Sequence, residues 1–227
     1  MNEFLQQVSV WALPIIFAIT LHEAAHGWMA DRLGDPTARM MGRISANPIR
    51  HIDPMGTIIL PALLLLTAGF AFGYAKPVPV NFRNLHNPRR DMVLVAAAGP
   101  GANVLMAIVA ALMLNLVPYL PDQAAQWLGT NCVNAILING VLATFNMIPL
   151  PPLDGGRVAV GLLPRALAMP LARLERYGML IIFGAVFLVP LIASQFGIAF
   201  NPVFALIAPV VNGFVHLLLS LAGLSLQ

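Results

Sequence analysis

His22-Glu23-Ala24-Ala25-His26 sets two imidazoles four residues apart with a carboxylate between them. On a helix, residues four apart lie on one face, a turn above one another, so both rings can bind one cation. Glu23 is offset around the helix. There it can reach a water beside the cation without being a ligand, and act as general base and then proton shuttle. Ala24, Ala25 and Gly27 keep space around the ion and allow a close helix approach. The chain holds five His and nine Asp or Glu, and three of those side chains fall in this one window. An ionisable group inside an apolar span costs about 2.5–3.5 kcal/mol to insert, so chance is a poor explanation for three together.

Two imidazoles do not complete a catalytic zinc site, which takes three protein ligands and keeps one position for water. His51, His86, Asp31, Asp35, Asp53 and Asp91 lie in the loops on the same side, His216 reads as a packing residue, and Asp122 is on the far side. Asp154 is favoured. It follows an apolar span in Asn146-Met147-Ile148-Pro149-Leu150-Pro151-Pro152-Leu153-Asp154-Gly155-Gly156-Arg157. Pro149, Pro151 and Pro152 stop the helix and hold an extended segment, and the two glycines let the backbone pass close to a neighbour. Read alone, the stretch is a helix terminator with an aspartate cap. Paired with the two histidines at the same depth, Asp154 becomes the expected third ligand.

The elements that must carry these residues are membrane helices. Of 227 residues, 59% are hydrophobic and only 9% charged, against about 25% charged in soluble domains. A water-soluble fold and a disordered chain are both excluded. A single cysteine, Cys132, excludes a disulfide framework and a thiolate metal cluster. Five stretches are long and apolar enough to span: Phe4–Met29, Met92–Val117, Cys132–Ile148, Tyr177–Ala193 and Val203–Leu221. A sixth, Gly56–Ala75, is uncharged but broken by Pro61, Gly69 and Gly73. No cleavable signal peptide is expected.

The 12 basic residues form three clusters: Arg32 to Arg50, Lys76 to Arg90, and Arg157 to Arg176. The positive-inside rule makes all three cytoplasmic, with the N-terminus outside and the C-terminus inside. Net charge is only +3, so the basic residues record orientation and no nucleic-acid partner is expected. Gly56–Ala75 has a basic cluster on each side. The expectation is a re-entrant or broken segment, with an ordinary sixth helix as the alternative.

The chain resembles the site-2 protease family of intramembrane zinc metalloproteases, peptidase M50, in its short form without PDZ or CBS domains. His22-Glu23-Ala24-Ala25-His26 carries the resemblance, with Asn146 to Gly156 similar to the family's N-x-x-P-x-x-P-L-D-G pattern and Ala98-Gly99-Pro100-Gly101-Ala102-Asn103 similar to its G-P-x-x-N signature. Arg43 to Pro48, His51 to Gly56 and Ala75 to Asn81 are similar to bacterial members. The likeness covers about residues 10–165, and the last two spans carry no family signature. It implies that His22, His26 and Asp154 bind zinc, that Glu23 activates the water, and that Asn146, Pro152 and Asn103 contact an unwound substrate segment.

The expected architecture is an all-α polytopic membrane protein of five to six transmembrane helices, with short membrane-associated extended or β segments at Lys76–Asn81 and Asn146–Pro152. Residues 1–165 form the metalloprotease core and 166–227 add two helices to the same membrane domain. The expected activity is zinc-dependent endopeptidase cleavage of a membrane protein within or near a transmembrane segment, at the cytoplasmic side of a bacterial inner membrane. Expected partners are that substrate and the bilayer, with a homo-oligomer left open. A metal-ion transporter and a non-proteolytic membrane binder are the competing classes. A zincin with a later glutamate ligand has only Glu175 to draw on.

Overall fold

The computed structural model describes residues 2–59 and 76–223. Among them, five helices are long and apolar enough to cross a membrane, matching the five expected spans. The protein is an all-α polytopic membrane protein. The helices are α1 (Asn2–Arg32), α2 (Pro88–Met113), α3 (Asp122–Asn146), α4 (Asp154–Leu162), α5 (Arg165–Arg173), α6 (Glu175–Gln195) and α7 (Pro202–Leu221). The segment Gly56–Ala75 lies, beyond Ile59, outside the described residues, so its path across or into the membrane is not part of this fold description.

Helices α1, α2 and α3 form the core, and small side chains decide how closely they approach. Ala18 and Ala30 on α1, Ala96 and Ala107 on α2 and Ala143 on α3 are all buried. Large apolar side chains such as Leu105, Leu112 and Leu180 point outward. Lipid tails are as apolar as leucine, so burying leucine gains little there and close backbone packing does the work. Polar bonds fix the register. Asn134 Nδ2 donates to the Val10 carbonyl (2.9 Å), Asn103 Nδ2 to the Ala18 carbonyl (3.2 Å) and to Asn139 Oδ1 (2.8 Å), and His26 Nδ1 lies 2.7 Å from the Val95 carbonyl. Positions 10 and 18 level with 134 and 139 make α3 parallel to α1, and 18 and 26 level with 103 and 95 make α2 antiparallel.

Two boundaries depart from the sequence reading. Helix α3 begins at Asp122, ten positions before Cys132. Hydropathy falls across the polar first turns, yet Pro121 and the first-turn Asp122 suit a helix N-terminus. The expected β segments are also absent, since no strand forms among the described residues. A strand needs a partner edge. Here the N–H groups of Val78 and Asn81 go instead to the carboxylates of Glu23 (2.8 Å) and Asp35 (2.6 Å).

The loop after α3 is held by contacts that tolerate no side chain. A Cβ on Gly155 would lie 2.2 Å from the Met147 carbonyl oxygen, and one on Gly156 would lie 2.1 Å from the Pro151 nitrogen. The proline loop therefore folds directly onto the start of α4. Helix α6 closes it from the other side, where a Cβ on Gly178 would fall 1.7 Å from the Pro151 carbonyl oxygen.

Candidate metal centre

Two helices deliver one residue cluster. His22 and His26 sit a turn apart on α1, and Asp154 begins α4. All three are nine-tenths or more buried, with 7%, 9% and 7% of their surface exposed. The two Nε2 atoms are 3.1 Å apart, and each lies 3.3 Å from Asp154 Oδ2. Donors about 2.0–2.1 Å from a common tetrahedral centre are necessarily about 3.3 Å from one another. Among the described residues no other group of three His, Cys, Asp or Glu converges this way.

The hydrogen bonds behind the rings show why this triangle calls for a cation. His26 Nδ1 is 2.7 Å from the Val95 carbonyl, which can only accept, so Nδ1 carries the proton. His22 Nδ1 is 2.6 Å from Asn103 Oδ1. That oxygen assignment is forced, because Asn103 Nδ2 is committed to two acceptors, the Ala18 carbonyl and Asn139 Oδ1 (2.8 Å). Asn139 Nδ2 is in turn committed to the Ala135 carbonyl (2.8 Å). As neutral rings, both imidazoles therefore turn bare Nε2 lone pairs toward Asp154 Oδ2, which is buried with no hydrogen-bond partner. Three lone pairs at this spacing repel one another unless a cation lies among them. The residues fit a divalent metal.

Space for it comes from Gly99. A Cβ there would lie 2.3 Å from His26 Nε2 and 2.7 Å from His22 Cε1, so any larger residue would occupy the ligand cluster. Glu23 is half-buried beside the triad, one of its oxygens accepting from the Val78 amide. Val78 belongs to a segment tied down by Asp35, a wholly buried carboxylate. Asp35 accepts from Thr37 N (3.2 Å), Thr37 Oγ1 (2.5 Å), Asn81 N (2.6 Å) and Asn84 Nδ2 (2.9 Å). Burial alone would raise its pKa. The four donors outweigh it and hold the group below the ordinary value of 3.8.

The remaining sequence candidates fall elsewhere. Asn103 has no exposed surface and stands behind His22, its Oδ1 accepting from His22 Nδ1. Asn146 bonds back to the Leu142 carbonyl (3.0 Å) within α3, and Pro152 abuts α6 near Gly178. Asp31 pairs with Arg39 (3.2 Å), Asp91 accepts from Asn87 N (2.7 Å), and His51 faces the Ser45 carbonyl (2.9 Å). Glu175 is exposed, 3.9 Å from Arg157, and does not join the cluster. Sequence reasoning passed over Asn139, and it met Gly99 only as part of the G-P-x-x-N resemblance, without its place against the histidines. A carboxamide in mid-span was the available signal for the first, since buried polar groups in a membrane are costly. The register of α2 against α1 was needed for the second.

The chain is similar to proteins named as zinc metalloproteases. The chain is 39% identical to "Putative zinc metalloprotease YwhC" of Bacillus subtilis over 79% of its own length and 80% of that protein's. It is 29% identical to "Putative zinc metalloprotease Rip2" of Mycolicibacterium smegmatis, over 78% of this chain and 68% of that one. No solved structure matches. The family model described as "Peptidase family M50" matches residues 10–126 and 116–191, which takes in His22, Glu23, His26, Asn103 and Asp154 and runs on into α6. The chain belongs to peptidase family M50.

Proposed function

We propose that this protein is a zinc-dependent endopeptidase that cleaves a membrane protein within or beside a transmembrane segment. The convergence of His22 Nε2, His26 Nε2 and Asp154 Oδ2 carries the reading. Zinc held there supplies Lewis acidity, polarising a scissile carbonyl and bringing the pKa of a water toward about 7. His22 and His26 bind through Nε2 because Asn103 and Val95 hold the protons on Nδ1. Glu23 takes the proton from the attacking water and delivers it to the leaving amine. The Val78 amide fixes one carboxylate oxygen, which leaves the other to do this work.

A membrane-borne substrate is supported by the surroundings. A groove of about 430 Å³, lined by Val104, Gly140, Thr144, Ile148, Leu206 and Phe214 among others, runs along the loop that leads to Asp154. It is almost wholly apolar and suits a lipid-soluble chain. The three basic clusters, read by the positive-inside rule, support a metal centre on the cytoplasmic side, and the bacterial relatives support a bacterial inner membrane.

The test is Glu23→Gln in purified protein. Zinc content stays at the wild-type level while cleavage of a single-pass substrate falls at least about 100-fold, the usual contribution of a general base. Unchanged cleavage refutes the mechanism. Loss of the metal as well as the activity refutes the division of roles between Glu23 and the triad.

A further inference from the structure

Outside the metal centre, the structure gathers three cations around one cavity. The loop 41–51 and the segment 76–79 enclose about 380 Å³, lined by Gly42, Arg43, Arg50, Lys76, Pro77 and Pro79, with Met41 at its edge. Arg43 is only 7% exposed. Its guanidinium donates to the carbonyls of Arg50, Lys76 (2.5 Å) and Pro77 (3.3 Å), and its Nε is buried without a partner. Arg50 Nη1 donates to the Gly42 carbonyl at 2.6 Å. The ion pairs among the described residues use His22, His26, Arg39 and Arg157, so none of these three cations meets a carboxylate.

A buried arginine satisfied only by carbonyls, beside two more like charges, is costly until an anion joins it. With both Arg43 Nη atoms and Arg50 Nη1 already donating to carbonyls, the rest of the Arg50 fork and the Lys76 ammonium remain as donors around one small volume, with the Arg43 charge behind them. That pattern suits an oxyanion with several acceptor oxygens better than a single carboxylate. The rim is apolar: Met40, Met41 and Ile49 are largely exposed beside the pocket. Apolar side chains around a cationic hollow, on loops that flank spanning helices, fit the headgroup layer of a bilayer.

We propose that Arg43, Arg50 and Lys76 bind the phosphate of an anionic membrane lipid. The same segment whose carbonyls cap Arg43 presents the Val78 amide to Glu23, so the bound headgroup braces the strip of chain that orients the base. That second consequence rests on the function proposed above, and the binding itself does not.

The full chain in a non-ionic detergent, titrated separately with short-chain phosphatidylglycerol, phosphatidylcholine and inorganic phosphate, is read by native mass spectrometry. One phosphatidylglycerol is retained at concentrations where phosphatidylcholine is not. Arg50→Gln and Lys76→Gln, both at exposed positions, each weaken that adduct about fivefold, the worth of one basic residue against an anionic headgroup. Arg83→Gln, the same charge change at an exposed site outside the cavity, leaves it unchanged. Equal retention of both lipids overturns the proposal, as does equal weakening by Arg83→Gln, which would mean diffuse attraction. Retention of inorganic phosphate with no phosphatidylglycerol adduct overturns the assignment to lipid. Because no step reads proteolysis, an inactive enzyme and an empty pocket are separate results.

Discussion

Replacing Asn139 by leucine tests whether the metal centre is tuned from deep in the membrane. Asn139 touches neither histidine. It accepts from Asn103 Nδ2 at 2.8 Å, and Asn103 accepts from His22 Nδ1 at 2.6 Å. In the native chain, turning the Asn103 carboxamide over would set its oxygen against two acceptors, Asn139 Oδ1 and the Ala18 carbonyl. Asn139→Leu removes one of those obstacles and leaves a buried N–H half satisfied, at a cost of about 1–3 kcal/mol. The turned amide would hold His22 in the tautomer whose proton sits on Nε2, where the lone pair is needed. Loss of such an outer partner typically weakens metal binding about 10–100-fold. At about 1.4 kcal/mol per tenfold, that falls in the same range as the orphaned bond. Asn103→Leu, which strips His22 directly, is expected to cost more. Asn134→Leu is the control. It is buried on the same helix and gives its amide to Val10, remote from the site, so it lowers the melting temperature and leaves zinc affinity alone. Competition titration against a chromophoric chelator, with thermal melting in parallel, separates the cases. Wild-type zinc affinity in Asn139→Leu, or an equal loss in Asn134→Leu, refutes the relay.

Two further outcomes follow from other parts of the scaffold. Gly99→Ala puts a methyl carbon 2.3 Å from His26 Nε2, so zinc affinity should fall by more than the roughly 100-fold of an outer-partner loss while the helices stay folded by circular dichroism; near-native affinity would show that α2 can back away. Asp35 titrates lower in the folded chain than its unfolded value near 3.8, so its contribution to stability is complete above about pH 4 and disappears as the pH drops through the lower folded pKa. Asp35→Asn should therefore flatten the acid limb of the melting-temperature profile, and an unchanged limb would mean that other carboxylates govern it.

How much of this was legible in the residues depended on charge. His22, Glu23, His26 and Asp154 stood out because ionisable groups in an apolar chain are conspicuous, and the structure brings the two histidines and Asp154 together. Gly99 and Asn139 did not stand out. A glycine in a membrane helix reads as packing, and its meaning needs the register that places it against His26. Asn139 looks like a tolerated polar residue until the direction of each amide is followed from the Ala135 carbonyl to His22. The segment Lys76–Asn81 reads from its prolines as an extended stretch able to pair with a substrate strand. What pairs with its N–H groups is a tertiary fact, and the partners are two carboxylates from α1 and the turn after it.

The acids themselves separate structure from chemistry. Asp31 meets Arg39, Asp35 meets four donors, Asp53 accepts from Gly56 N (2.8 Å), Asp91 meets the Asn87 amide, and Glu175 faces Arg157. Glu23 is shared, one oxygen on the Val78 amide. Asp154 is the exception among them: its Oδ2 is buried against two histidine nitrogens whose protons lie on the far side of their rings. A fold under pressure for stability alone would supply a donor to that oxygen, as it does for Asp35, or replace the aspartate with an apolar residue. On the function proposed above, a bound cation would offset the repulsion among these three acceptors, so chelation should lower the melting temperature in wild type but not in Asp154→Leu.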